Sequence, residues 1–269
     1  MVVITLTKNS ALTIKDTIRS IKTQNFKKIL WLIFDERSKD ATLNIIKESN
    51  INYKIYHSNS YSIYNCFNRA LREVRKKKIN DIIFFLHSDD IIYNKNVFYN
   101  INDFFKKYNI DVLYGNISYF RNKNKTSFRK WDASFLEKQI NIKKSLFLLK
   151  KFVKKDFIKG WIFPHTSLFF HSRILDKISF YNTKYKISAD YLWSLKLLLN
   201  NKFRIFFWDN YIIKMRYGGS STNLKNISNI LIEDYKILYN FYKGSFLKVI
   251  LVIFTLVFKK LRKIKQFIN

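Results

Sequence analysis

Five runs of apolar, largely β-branched or aromatic residues punctuate the first half of the chain: VVITLT from Val2, ILWLIFD from Ile29, YKIYHS from Tyr53, DIIFFLH from Asp81 and DVLYGNISYF from Asp111. Each has the length of a strand and is apolar on both alternating faces, which predicts strands covered on both sides. The stretches between them carry helical spacing, as in Ile63, Phe67, Ala70, Leu71 and Val74. This β-α-β-α order predicts an α/β fold with a doubly wound, mainly parallel sheet, helices on both faces and a ligand crevice beyond the carboxyl ends of the strands. A chain of 269 residues, 48% hydrophobic, has enough apolar surface to build that core.

Charge narrows the function classes less than its size suggests. The formal net charge is +31, which invites nucleic acid or an anionic membrane as partner. It is unevenly spread: Arg121 to Gly160 holds thirteen Lys or Arg against three Asp or Glu, whereas Asp81 to Phe120 holds three basic against five acidic residues. No nucleic-acid-binding motif is visible, so no nucleic-acid partner is expected, and a basic membrane-facing side accounts for the same charge. The single cysteine, Cys66, excludes an intrachain disulfide framework, and the N-terminus enters a strand pattern without a basic region and cleavage site. A cytoplasmic location is the expectation.

The least basic part of the chain contains Ser88-Asp89-Asp90, at the end of the fourth apolar run. Two adjacent carboxylates repel and need solvent, hydrogen-bond donors or a cation. A divalent metal carrying a diphosphate meets that need, and a helix cap is the alternative. Asp35, with Ser38, Asp40 and Thr42 behind it, ends the second run and leads into a helix with Leu43 and Ile46; short polar side chains there bond a ligand or cap the helix. Asp190 opens a helical pattern with Leu192, Leu195, Leu198 and Leu199, where an N-terminal capping role is the plain reading.

Taken together with Thr5-Leu6-Thr7-Lys8-Asn9 after the first strand, these segments resemble the family 2 glycosyltransferases of the GT-A fold over residues 2 to 222, most closely in the first hundred. The resemblance implies that Thr5, Thr7, Asn9, Asp35 and Ser38 meet the nucleotide of a nucleotide-sugar donor, together with Asn68, Ser88 and Asp89. It places the metal, Mn²⁺ or Mg²⁺, on Asp90 and Asp89, and the catalytic base on Asp190 in Ser188-Ala189-Asp190. His165, in Gly160-Trp161-Ile162-Phe163-Pro164-His165-Thr166-Ser167, falls on the acceptor side, although a histidine among aromatics also suits a structural role. Tyr217-Gly218-Gly219-Ser220-Ser221 is similar to a loop that closes over the site. Two segments depart from the family's usual pattern: Glu36-Arg37 stands where Gly-Gly is common, and Asn65 replaces an aspartate in Ser62-Ile63-Tyr64-Asn65.

The implied activity is inverting, metal-dependent transfer of a sugar from a nucleoside-diphosphate donor, a UDP-sugar, to a glycan or lipid-linked acceptor in cell-surface polysaccharide synthesis of the lipopolysaccharide type. A non-catalytic relative is the alternative. Residues 1–118 would form the nucleotide-sugar-binding half, 119–222 the acceptor-binding and catalytic half, and 223–269 a C-terminal helical segment. That segment contains FLKVILVIFTLVF from Phe246 to Phe258, then Lys259, Lys260, Arg262, Lys263 and Lys265. The run is shorter than the roughly 20 residues that span a bilayer. It reads as an interfacial helix on an anionic membrane, peripheral on its inner face, with a helix packed on the domain as the alternative.

Overall fold

The computed structural model describes residues 1–57, 62–121, 125–133, 146–148, 163–200, 202–218, 227–241 and 250–258. Strands form where the first apolar runs lie: β1 (Val2–Thr7), β2 (Leu30–Asp35), β3 (Tyr53–His57) and β4 (Ile82–Phe85). Helices α1 (Ile14–Lys22), α2 (Thr42–Lys47) and α3 (Ile63–Lys76) connect them. After β4 come β5 (Ile91–Ile92), α4 (Val97–Tyr108), β6 (Val112–Phe120), β7 (Ser127–Trp131) and β8 (Leu146–Leu148). The chain continues through β9 (Phe169–His171), α5 (Ala189–Leu198), β10 (Ile205–Arg216) and α6 (Ile227–Phe241), with residues 250–258 also helical.

One sheet runs in the order β3-β2-β1-β4-β9-β6-β10-β5, with β7 beside β6 and β8 beside β10. β1 pairs in parallel with β2 and β4, setting Val2 opposite both Leu30 and Ile83. The winding reverses between β1 and β4, so a crevice opens beyond Thr7, Asp35 and Phe85, where α/β sheets bind ligands. The parallel character is confined to β3-β2-β1-β4 and to the β6/β10 pair. β9 lies antiparallel between β4 and β6, with Phe84 opposite Phe169, and the sheet is therefore mixed where mainly parallel pairing is expected from the sequence. A three-residue strand between two 3₁₀ turns is too short to show as a periodic run.

Alternation along the strands feeds two apolar layers. Val3, Ile33 and Phe84 face α1, α2 and α4, whereas Ile4, Phe34 and Phe85 face α3, α5 and α6. Each fully buried aromatic of this kind contributes about 1.5–3 kcal/mol. On α3 the buried stripe is Tyr64, Phe67, Leu71 and Val74 at three- and four-residue spacing. Ile63 lies off that stripe and is 38% exposed, contrary to its place in the sequence pattern. Close approach of β6 to β10 requires Gly115: a Cβ there would lie 2.6 Å from Ile212 Cδ1, next to the register shift of β10 between Trp208 and Tyr211.

The C-terminal elements have two unlike faces. Ile237, Leu238 and Val252 enter the core on the α3 and α5 side. Leu231, Ile232, Tyr235 and Tyr239 on α6, and Ile250, Ile253, Phe254, Val257 and Phe258 after it, stay exposed. Among the described residues, no helix is long and apolar enough to cross a membrane.

Candidate active site

Three loops at the carboxyl ends of β1, β2 and β4 are stitched together by short polar side chains. Asp35 is fully buried; its Oδ1 accepts the Ser38 hydroxyl at 2.5 Å and its Oδ2 the Ser38 N–H at 3.0 Å. Ser38 Oγ accepts the Asn9 N–H at 2.9 Å, and Asn9 Oδ1 accepts the Lys39 N–H at 2.8 Å. Both Asn9 and Arg37 hold left-handed backbone, at φ 49° and 52°, so Arg37 adopts here the conformation that a glycine takes at lower cost. Asp40 accepts from Ala11 N–H and from Thr42, whose hydroxyl bond holds the Asp40 carboxyl below its ordinary range. Ser88 joins the third loop: its Oγ lies 2.8 Å from Ser10 Oγ, and its carbonyl accepts the Thr13 hydroxyl at 3.0 Å.

Asp90 is the electrostatic centre. It is 2% exposed, and Oδ1 accepts the Arg216 N–H at 3.0 Å while Oδ2 has no hydrogen-bond partner. Thr17 donates to the Asp90 carbonyl at 2.8 Å and fixes the backbone. Burial, and then the neighbouring Asp89 charge, push the Asp90 carboxyl well above the usual range, opposed by the Arg216 N–H and guanidinium. Arg216 is itself tied down, its Nε donating to the Asp89 carbonyl at 3.2 Å and an Nη to Asp16 at 3.1 Å. Burial raises the Asp16 carboxyl, but Lys125 and Arg216 outweigh it and hold the group below its usual value. An unpartnered oxygen on a buried carboxylate costs free energy in the folded chain. The hydroxyl of Thr7, also buried, has no partner either.

The residues present fit a hard divalent cation. Among the described residues no group of three or more His, Cys, Asp or Glu side chains converges on a point; at this end of β4 stand two adjacent carboxylates, Asp89 and Asp90. That is the donor set such a cation uses when substrate phosphates and water complete its shell.

An aromatic wall leads from this pair to Asp190. His87 packs near Phe67 (ring centroids 6.1 Å apart), Phe67 near Tyr64 (6.3 Å), and the single proton of the Tyr64 hydroxyl is shared between the Ile187 carbonyl and Asp190 Oδ1, the latter at 3.1 Å. Asp190 stands in the first turn of α5, where its Oδ1 also accepts the Tyr191 N–H at 2.8 Å. The N-cap position is Ser188, whose side chain makes no capping bond, so Asp190 is a first-turn residue and not the cap. His165 Nε2 lies 2.7 Å from the Tyr181 hydroxyl inside a box of Phe67, Phe85, Tyr181 and Trp193. Burial, and then His87, push its pKa down to about 3, so it is neutral near pH 7.

Several residues expected at the ligand have structural partners instead. Thr5 is buried and its hydroxyl accepts the Trp31 indole N–H at 2.8 Å, on the α1 side of the sheet. Asn68 spends both ends of its amide on Tyr181, donating to its carbonyl at 2.9 Å and accepting its N–H at 2.8 Å. Ser88 works between loops, as described. Glu36, in place of the usual glycine, turns toward Lys8 at 3.5 Å and accepts from Cys66 Sγ at 3.7 Å. Residues 160–162 and 219–221 of the two expected loops lie outside the described residues. Arg216, Asp16 and Tyr64 are additions to which the sequence gives no role. Of these, Arg216, directly before Tyr217-Gly218, and Tyr64, within Ser62-Ile63-Tyr64-Asn65, carried a local signal.

A search of curated proteins finds no match. Among solved structures, the fold is similar to S. aureus TarS 1–349 in complex with UDP-GlcNAc, at TM-score 0.66 and 18% identity over 96% of this chain and 70% of that one. It is also similar to the mannosyltransferase PcManGT from Pyrobaculum calidifontis in complex with GDP-Man and Mn²⁺, at TM-score 0.59 and 12% identity over 98% and 74% of the two chains. GalNAc-T7 with UDP, GalNAc and Mn²⁺ matches at TM-score 0.57 and 14% identity over 89% and 50%. The Glycosyl transferase family 2 model matches residues 2–179. With that match over most of its length and with these structural neighbours, the chain belongs to glycosyl transferase family 2 and has the GT-A fold.

Proposed function

We propose that the protein transfers a sugar, with inversion, from a UDP-sugar to a glycan or lipid-linked acceptor of cell-surface polysaccharide synthesis. The observation that carries this reading is the buried Asp90 with one unpartnered oxygen, beside Asp89 at the sheet's switch point. The ligands named with its structural neighbours, UDP-GlcNAc for TarS and Mn²⁺ for PcManGT, support the same chemistry.

Residues 1–118 hold the donor and 119–222 the acceptor side. Thr7, Asn9, Asp35 and Ser38 line the nucleoside end, with Thr5, Asn68 and Ser88 shaping it from behind. Asp89 and Asp90 hold Mn²⁺ or Mg²⁺, which supplies positive charge to the leaving diphosphate when bound. Asp190 takes the proton of the acceptor hydroxyl as the new C–O bond forms, and the anomeric C–O bond breaks with its electron pair leaving on the nucleoside diphosphate. Tyr64 fixes the Asp190 carboxylate through Oδ1. His165, neutral and bound to Tyr181, shapes the acceptor side without supplying a proton. The exposed apolar residues of 250–258, followed in sequence by Lys259, Lys260 and Arg262, rest on the anionic inner face of the membrane.

Thermal shift against nucleoside diphosphates, with and without Mn²⁺, tests the donor site. A ligand at ~100 times its Kd stabilises by about 2.7 kcal/mol, and this shift should require Mn²⁺ and vanish in Asp89→Ala/Asp90→Ala. No shift with any nucleotide would leave a non-catalytic relative as the better reading. Asp190→Asn should abolish transfer and spare nucleotide binding; full turnover would remove Asp190 as base. Ile253→Glu/Phe254→Glu should lose flotation with anionic liposomes, and unchanged flotation would end the membrane assignment.

A further inference from the structure

The segment that enters α5 is held from a helix far along the chain. Glu233, in the second turn of α6, accepts three consecutive backbone N–H groups: Lys186 on Oε1 at 2.8 Å, and Ile187 and Ser188 on Oε2 at 3.0 and 2.8 Å. Charge-assisted bonds of this kind are about twice as strong as neutral ones. α6 is anchored beside it by buried Asp234, Ile237 and Leu238, so the carboxylate is presented from a fixed support. These three amides precede the helical turn that begins at Ala189; Glu233 therefore fixes the approach to α5 and does not cap its first turn. The peptide unit between Ile187 and Ser188 is gripped at both ends, its N–H by Glu233 and its carbonyl by the Tyr64 hydroxyl that also reaches Asp190 Oδ1, and the Ile187 N–H is held by Glu233 as well. A closed circuit results: Glu233 sets Ile187, Ile187 sets the Tyr64 hydroxyl, and Tyr64 sets the Asp190 carboxylate.

We propose that Glu233 is a positioning residue for Asp190, holding the base in its reactive orientation through Ile187 and Tyr64. The inference rests on Asp190 being the base of the proposed transfer. A carboxylate misplaced by about 1 Å can cost on the order of 100-fold in rate, so Glu233→Ala should lower kcat by roughly 10- to 100-fold with the donor KM and the Mn²⁺-dependent UDP shift unchanged. Glu233→Gln retains one acceptor oxygen and should fall between wild type and Glu233→Ala. Ile232→Ala, an exposed neighbour on the same helix, should match wild type.

Amide hydrogen exchange of the full chain without substrate provides the readout that does not depend on activity. The amides of 186–188 should exchange faster in Glu233→Ala, while those of 235–241 stay protected. Unchanged exchange at 186–188, or equal losses in UDP binding and kcat, would overturn the proposal. If wild type transfers no sugar but exchange responds as expected, the transfer reading fails and the clamp stands; if wild type is active and Glu233→Ala keeps full kcat, the positioning role alone falls.

Discussion

Replacing Asp90 by Asn should make the metal-free protein more stable and the ligand-bound protein less so. In the folded chain Asp90 is buried, with Oδ1 on the Arg216 N–H and Oδ2 without a partner. Asparagine keeps the acceptor for Arg216 and puts a neutral amide where the buried carboxylate was. A buried polar group left unmade costs about 1–3 kcal/mol, and more when charged. Removing the charge should therefore gain ~1–2 kcal/mol, or about 2–8 °C in Tm for a chain of this size. The pH dependence fixes the sign. Burial and Asp89 raise the carboxyl pKa, so the folded state keeps a proton that the unfolded state gives up. The handicap is absent below about pH 4, grows as pH rises and levels off above the raised pKa, whereas the amide does not titrate. Scanning calorimetry in EDTA should thus find equal Tm near pH 4 and a growing advantage for Asp90→Asn toward pH 7. With UDP and Mn²⁺ at ~100 times Kd the wild type gains about 2.7 kcal/mol and the variant almost none, so their order inverts. A variant less stable than wild type in EDTA at pH 7, or one that keeps the full ligand shift, would refute the reasoning.

Asn68→Ala should cost ~2–4 kcal/mol in urea unfolding, because it leaves both the N–H and the carbonyl of Tyr181 unpaired in the interior. The Mn²⁺-dependent UDP shift should persist at low temperature; loss of binding with unchanged stability would return Asn68 to the donor site. His165, with its pKa pushed down to about 3, stays neutral in the folded state while the unfolded chain takes up a proton below about pH 6.5. Stability should fall with acid across that window, by up to about 1.4 kcal/mol per pH unit for this group. His165→Gln should flatten the slope, and an unchanged slope would show that His165 does not carry it.

What the sequence made legible follows from the range of each interaction. β1 to β4 show as apolar runs because both faces of each are buried, and the crevice beyond them follows from their order. β9 was invisible because three residues between turns carry no period, and its pairing depends on Phe84, far away in sequence. Asp35, Ser38 and Asp90 stand just at or beyond the carboxyl ends of β2 and β4, as the order of the apolar runs predicts. Thr5 and Asn68 fit the motif spacing, but their polar atoms go to Trp31 and Tyr181, a choice made by tertiary packing. Glu233 had no local mark at all, since its three partners lie more than forty residues upstream.

The placement of β9 also governs the order in which the molecule can assemble. β4 and β6 both belong to the first 120 residues, yet they do not pair with each other; β9 sits between them. While the chain grows, the β4 edge at Ile82–Phe84 stays open until Phe169–His171 has been made. At ribosomal speeds of roughly 5–20 residues per second, that wait lasts on the order of five to fifteen seconds. An apolar strand edge exposed for that long is a template for mispairing, so nascent chains halted before Phe169 should depend on chaperones and complete ones should not.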